Sequence, residues 1–326
     1  MKIRGLLVAL VLLAGLAGGV WWSEKAKKEN ENKPAKDAPP KVLSIHEDQV
    51  QEIKVQRVSG EVTAVKRGEG GKWDIIEPRP LKADQDSVNS VVSTLASLSS
   101  DRLVEEKVDD LAPFGLKTPT LTVAIKKKDG KTETLLLGDE TPTQSGVFAK
   151  LAGDARLFTV ASYVKSSVDK YAKDLRDKRL LTFDSEKLTR VQIQAKCEPV
   201  ELGKNNQNEW QILKPKPLRA DGSQVEELVR KLKDAKMDTA ASEEDDKKAA
   251  KAFGSAKRAA VVKVTDASGT QELEIRKSKE NDYYARSSVV EGFHKIASYT
   301  GEGFDKGLED FRNKKEIGRA SCRERV

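Results

Sequence analysis

Apolar and polar residues alternate along most of this chain in short runs, and the period lengthens at a few points. Ile53 and Val55, then Val62 and Val65, alternate with polar neighbours and predict two strands, each with one buried face. Gly68-Glu69-Gly70-Gly71 predicts a turn into a third strand at Trp73-Asp74-Ile75. Pro78 and Pro80 end that strand, because proline donates nothing to a sheet ladder. Val88, Val91, Val92, Leu95 and Leu98 then share one face of a helix that Asp84 opens as N-cap. A connector over 111–119 follows, with Phe114 expected as a plug in the core. Further strands are expected over 120–126, 132–137, 147–150 and 157–160, the first two joined by a hairpin at Lys128-Asp129-Gly130-Lys131. A last helix over 162–175 would carry Val164, Val168, Tyr171 and Leu175 on one side.

The whole pattern occurs twice. Trp73 pairs with Trp210, and at the same spacing Pro78 pairs with Pro215, Pro80 with Pro217, Leu81 with Leu218, Asp84 with Asp221 and Val88 with Val225. Outward from this block, Phe114-Gly115 answers Phe253-Gly254 and Ala161-Ser162-Tyr163 answers Ala297-Ser298-Tyr299. Asp174-Leu175-Arg176-Asp177-Lys178 answers Asp310-Phe311-Arg312-Asn313-Lys314. Strands are expected again over 261–265, 272–276 and 283–286. The fold class is therefore α+β: two tandem units, 42–179 and 180–315, each a mostly antiparallel sheet with two packed helices.

The ends differ from this pattern. Residues 5–22 form an unbroken apolar run that as a helix would span about 27 Å, close to a bilayer core. Its length and the closing Trp21-Trp22 pair favour a retained transmembrane anchor over a cleaved signal peptide, which the small residues of LAGLAGG would otherwise suit. Lys25, Lys27 and Lys28 oppose a cytoplasmic amino terminus, but long domains translocate largely regardless of charge, so the bulk of the chain is expected in the periplasm. Residues 23–41 read as a polar tether without the apolar content to build a core. Residues 316–326, EIGRASCRERV, resemble a translated sequencing-adapter oligonucleotide and are set aside from the fold. Only Cys197 then remains, so no intrachain disulfide is expected.

Charge narrows the classes of function. The chain carries +7 with 34% charged residues of both signs and only 5% aromatics, without the basic patch and interleaved rings of a nucleic-acid binder. The glycine run at 68–71 lacks the Lys-Ser/Thr and helix of a phosphate loop. Asp84 and Asp221 read as helix caps before a metal or acid–base pair. His46 and His294 sit at unrelated points of the two units, and no zinc-ligand spacing is visible. Arg176 and Arg312 read first as members of Arg–Asp clasps with Asp174 and Asp310. No catalytic, cofactor or metal residues are predicted. The candidate ligand or partner contacts are Arg79, Lys216, Arg176 and Arg312.

The W-x-I-x-x-P-x-P-L-x-A-D block, the F-G-L-x-x-P connector, the L-L-L-G-D strand end and the D-L-R-D-K close together resemble the DUF4340 family. The second unit departs from it after Gly254, and there Leu273-Glu274-Ile275-Arg276-Lys277 replaces the strand end. The resemblance implies a bacterial, membrane-anchored protein of a functionally uncharacterised family, some of whose members are similar to auxiliary components encoded beside ABC transport systems linked to gliding motility. The expected function is a non-catalytic accessory or scaffold of the envelope, anchored to the inner membrane by residues 5–22. The alternative is a periplasmic module binding a ligand or anionic polymer in a cleft between the repeats.

Overall fold

A computed structural model describes residues 41–195, 198–238 and 243–314. The expected anchor, tether and tail, and Cys197, lie outside them. Among the described residues no helix is long and apolar enough to cross a membrane.

Two antiparallel sheets carry the described residues. The first contains β1 (Val50–Arg57), β2 (Val62–Arg67), β3 (Trp73–Glu77), β4 (Leu81–Lys82), β5 (Arg102–Glu105), β6 (Leu121–Lys127), β7 (Thr132–Glu140), β8 (Gly146–Leu151) and β9 (Leu157–Ala161). The second contains β10 (Arg190–Gln194), β11 (Val200–Lys204), β12 (Trp210–Lys214), β13 (Leu218–Arg219), β14 (Lys257–Asp266), β15 (Gly269–Lys277), β16 (Tyr283–Ser287) and β17 (Phe293–Ile296). Their strand orders are β4-β3-β2-β1-β6-β7-β8-β9-β5 and β13-β12-β11-β10-β14-β15-β16-β17. Apart from the extra β5, the second order is the first repeated. Seven α-helices occur among the described residues: α1 (Gln85–Ala96), α2 (Ser162–Val168), α3 (Ala172–Leu175), α4 (Gly222–Lys233), α5 (Glu243–Ser255), α6 (Ser298–Glu302) and α7 (Leu308–Phe311).

Alternation sets the buried faces. Leu121, Val123 and Ile125 of β6 point into a core, as do Ala260, Val262 and Val264 of β14. Helix α1 buries Val88, Val91, Val92 and Leu95, and α4 buries Val225, Leu228 and Leu232. Asp84 accepts the Ser87 N–H at 2.8 Å, and Asp221 accepts those of Ser223 and Gln224 at 3.1 and 3.4 Å, so both aspartates are caps. The chain's compact units do not follow the repeat boundary. One takes the described residues up to Val50 with Gln56–Gly60 and Val92–Val168, and the other takes Gln51–Val55, Glu61–Val91 and the described residues from Asp169 on.

Two local expectations are corrected and three elements were not expected, so that the repeats carry three and four described helices where two each are expected. The helix over 162–175 is two helices, α2 and α3, because the Asp174 carboxylate accepts the Tyr171 main-chain N–H at 3.0 Å and starts a new helix there. Phe114 is half-buried against Phe148, with ring centroids 5.0 Å apart, and the core position belongs to Leu116. Gly115, at φ 66°, turns the chain between them and sends the later residue inward. Strands β5 and β17 were not expected, since Arg102-Leu103-Val104-Glu105 and Phe293-His294-Lys295-Ile296 are too short to show a period. Helix α5 was masked by its EEDDKK opening, although it buries Ala249 and Phe253.

Candidate functional site

The two tryptophan strands are built alike and finished differently. Trp73 pairs with Arg67, and Trp210 with Lys204, at the same position of each sheet. Each ring lies under its partner's cation, Arg67 at 4.6 Å and Lys204 at 5.2 Å from the centroid. The next strand pairs in the same register too, Asp74 with Lys82 and Gln211 with Arg219. In the first repeat Gln85 then closes the edge. Its Oε1 accepts the Trp73 main-chain N–H at 2.8 Å, while its Nε2 donates to the Trp73 and Ala83 carbonyls, both at 2.9 Å. The Trp73 indole N–H donates to Asn89 at 3.1 Å.

The positions matching Gln85 and Asn89 are Gly222 and Glu226. With identical register the Trp210 main-chain N–H and C=O face the same side as those of Trp73, where Gly222 offers no side chain. A cavity of about 920 Å³ opens there, lined by Trp210, Gln207, Gln211, Arg219, Gly222 and Glu226 among others. Trp73 is 1% exposed and Trp210 is 8%. Among the described residues no side chain takes the Trp210 indole N–H, and Glu226 has no ion-pair partner.

The family model for a domain of unknown function, DUF4340, matches the chain twice, over 73–215 and 210–320. The chain belongs to the DUF4340 family. No curated protein and no solved structure matches it. Each DUF4340 match opens at one of the two tryptophans.

The structure explains two of the motifs that this DUF4340 chain carries. The F-G-L turn and the L-L-L-G-D strand end interlock. A Cβ on Gly138 would overlap the Phe114 carbonyl oxygen, and one on Gly115 would overlap the Asp139 carboxylate. In the second DUF4340 repeat an arginine replaces this close approach. Arg276 stacks over Phe253 at 4.4 Å and donates to its carbonyl at 3.3 Å. It also donates to the buried Glu274 at 2.8 Å, which Arg286 holds from the other oxygen at 2.9 Å.

The predicted contact residues of this DUF4340 chain separate into two kinds. Arg79 forms an ion pair with Asp246 at 2.7 Å, and buried Arg176 and His294 interact electrostatically with that pair. All four belong to the second compact unit. Burial holds the Arg176 guanidinium below its ordinary value; the Asp246 charge opposes this only in part, and the Arg79 charge adds to it. Burial also holds the His294 imidazole below its ordinary range, with the Arg176 charge acting in the same direction. His294 Nε2 lies 3.1 Å from the Glu291 carbonyl, which only accepts, so that nitrogen carries the proton. Its buried Nδ1 has no hydrogen-bond partner among the described residues.

The other two predicted contacts stand apart from this cluster. Lys216, which matches Arg79, is exposed, and Arg312 pairs with Glu309 at 3.5 Å. The D-L-R-D-K segment clasps through its main chain: Asp84 N–H donates to the Leu175 carbonyl at 2.7 Å, and Asp221 N–H to that of Phe311 at 2.8 Å. Sequence reasoning did not single out Asp246, whose charged helix gave no signal. The open side of Trp210 did leave one, the exchange of Gln85 and Asn89 for Gly222 and Glu226 inside an otherwise matched block.

Proposed function

We propose that the chain is a non-catalytic accessory protein of the bacterial envelope, held at the inner membrane by residues 5–22, whose two repeats each present a contact surface to partner proteins. Tyr163 and Tyr299 are the observation that carries this reading. They stand at matched places, each the second residue of a short helix after a sheet's ninth or last strand, and are 65% and 81% exposed. Tyrosine is enriched where proteins bind one another, because its ring buries apolar area while its hydroxyl keeps a hydrogen bond. Tyr163 also rims a cavity of about 360 Å³ with hydroxyl-bearing Ser93, Ser97 and Ser99 in its wall. An ABC-type transport complex is the partner class that family resemblance favours.

The test is purification of the tagged full chain from native membranes in mild detergent. Permease and ATPase subunits of one transporter should accompany it in fixed ratio. The Y163A/Y299A variant should lose them at an unchanged thermal midpoint. Absence of those subunits from the native preparation, or their retention by the variant, would sink the reading.

A further inference from the structure

We propose that the cavity over Trp210 is a docking slot for a polypeptide segment that inserts an Asn or Gln side chain against the Trp210 main chain. The first repeat shows what such a slot accepts. Gln85 uses one primary amide to take the Trp73 N–H and to reach the Trp73 and Ala83 carbonyls, three hydrogen bonds between 2.8 and 2.9 Å. The second repeat has the same strand register and the same alanine, Ala220, at the far carbonyl, but Gly222 in place of the glutamine.

The bonding pattern is selective. It needs one acceptor and two N–H donors on one small planar group. A carboxylate accepts only, and ammonium and guanidinium donate only. A hydroxyl has a single proton. A trans secondary amide, such as an acetamido group or one peptide unit, has one N–H, directed away from its oxygen. The primary carboxamide of Asn or Gln remains. At about 920 Å³ the cavity is near the upper end of those that hold drug-sized ligands, so it has room for neighbouring residues as well as the amide.

The rim adds a second requirement. Glu226 replaces Asn89 and has no ion-pair partner among the described residues, so a Lys or Arg beside the inserted amide would complete it. The Trp210 indole N–H, whose counterpart on Trp73 donates to Asn89, offers a donor to the same segment. Neither Tyr163 nor Tyr299 lines the slot, and its occupancy is tested without them.

The decisive variant rebuilds the first repeat's plug in the second. A Cβ on Gly222 meets nothing within 4 Å, so G222Q/E226N has space to close the slot from within. A random heptapeptide library on phage would be selected on the detergent-solubilised full chain, with G222Q/E226N as counter-selection. Enriched peptides would then be titrated by fluorescence anisotropy. They should share an Asn or Gln beside a basic residue and lose at least tenfold in affinity when that Asn or Gln becomes Asp or Glu. They should bind G222Q/E226N at least tenfold more weakly, with its thermal midpoint at or above that of the native chain. E226K, on an exposed helix face, should weaken them by a similar factor and serves if the double variant folds poorly. Failure to enrich over counter-selection, or peptides indifferent to the amide or to all these substitutions, would overturn the proposal. So would competition by free glutamine at equal affinity, or chitotetraose binding that G222Q/E226N abolishes.

Discussion

Gln85 behaves as a piece of strand supplied by a side chain. Its amide satisfies main-chain groups of Trp73 that the short β4 does not reach, since β4 ends at Lys82. Removing it leaves a part-buried N–H and C=O without their partner, so Gln85→Ala should cost about 1–3 kcal/mol. Chemical denaturation checks this, and a loss below about 0.5 kcal/mol would mean that water replaces the amide without penalty. His294 makes a different prediction, one of pH. Its folded value is depressed by burial, so the unfolded chain takes a proton below about pH 6.5 that the folded chain resists. Its contribution is therefore complete above that range and is lost as the pH falls. The thermal midpoint should drop between pH 7.5 and 5.5, and His294→Gln should flatten that drop. An unchanged slope in the variant would assign the loss to other groups.

At the scale of elements, the sheets and long helices were legible because burial imposes a period. Trp73 to Ile75, Leu121 to Ile125 and the Val88–Leu95 face all show in the sequence pattern. The break between α2 and α3 was not, because it depends on one carboxylate turning back to the Tyr171 N–H, while Val164, Val168 and Leu175 keep helical spacing across it. Nor was the role of Phe114, because a single glycine at positive φ decides whether it or Leu116 faces inward. Gly138→Ala places a methyl on the Phe114 carbonyl, a backbone atom that cannot swing away, and should cost about 1–3 kcal/mol by overpacking. Calorimetry would register it as a lowered midpoint. An unchanged midpoint would show that the connector yields.

At the scale of the whole molecule, the duplication was the most legible feature, since matched residues recur at one spacing and the two sheets repeat one strand order. The Arg79–Asp246 pair, joined by Arg176 and His294, was the least legible, because its members lie far apart in sequence and three of the four are ordinary surface residue types. The two caps offer a further test. Asp84 and Asp221 bond to different helices and share no partner. Asp84→Ala and Asp221→Ala should each cost about 0.5–2 kcal/mol, and the double variant should equal their sum within about 0.5 kcal/mol. A larger discrepancy on a urea titration would reveal coupling that these bonds do not show.

The connectors, finally, bear on how interchangeable the two halves are. The first closes through two missing methyl groups and the second through a guanidinium that Glu274 also needs. Transplanting Phe114-Gly115-Leu116 into the second half would set it against a strand without the glycine that makes room for it. A chimera that folds must therefore carry connector and receiving strand together, and this pair is the smallest cassette the copies can trade.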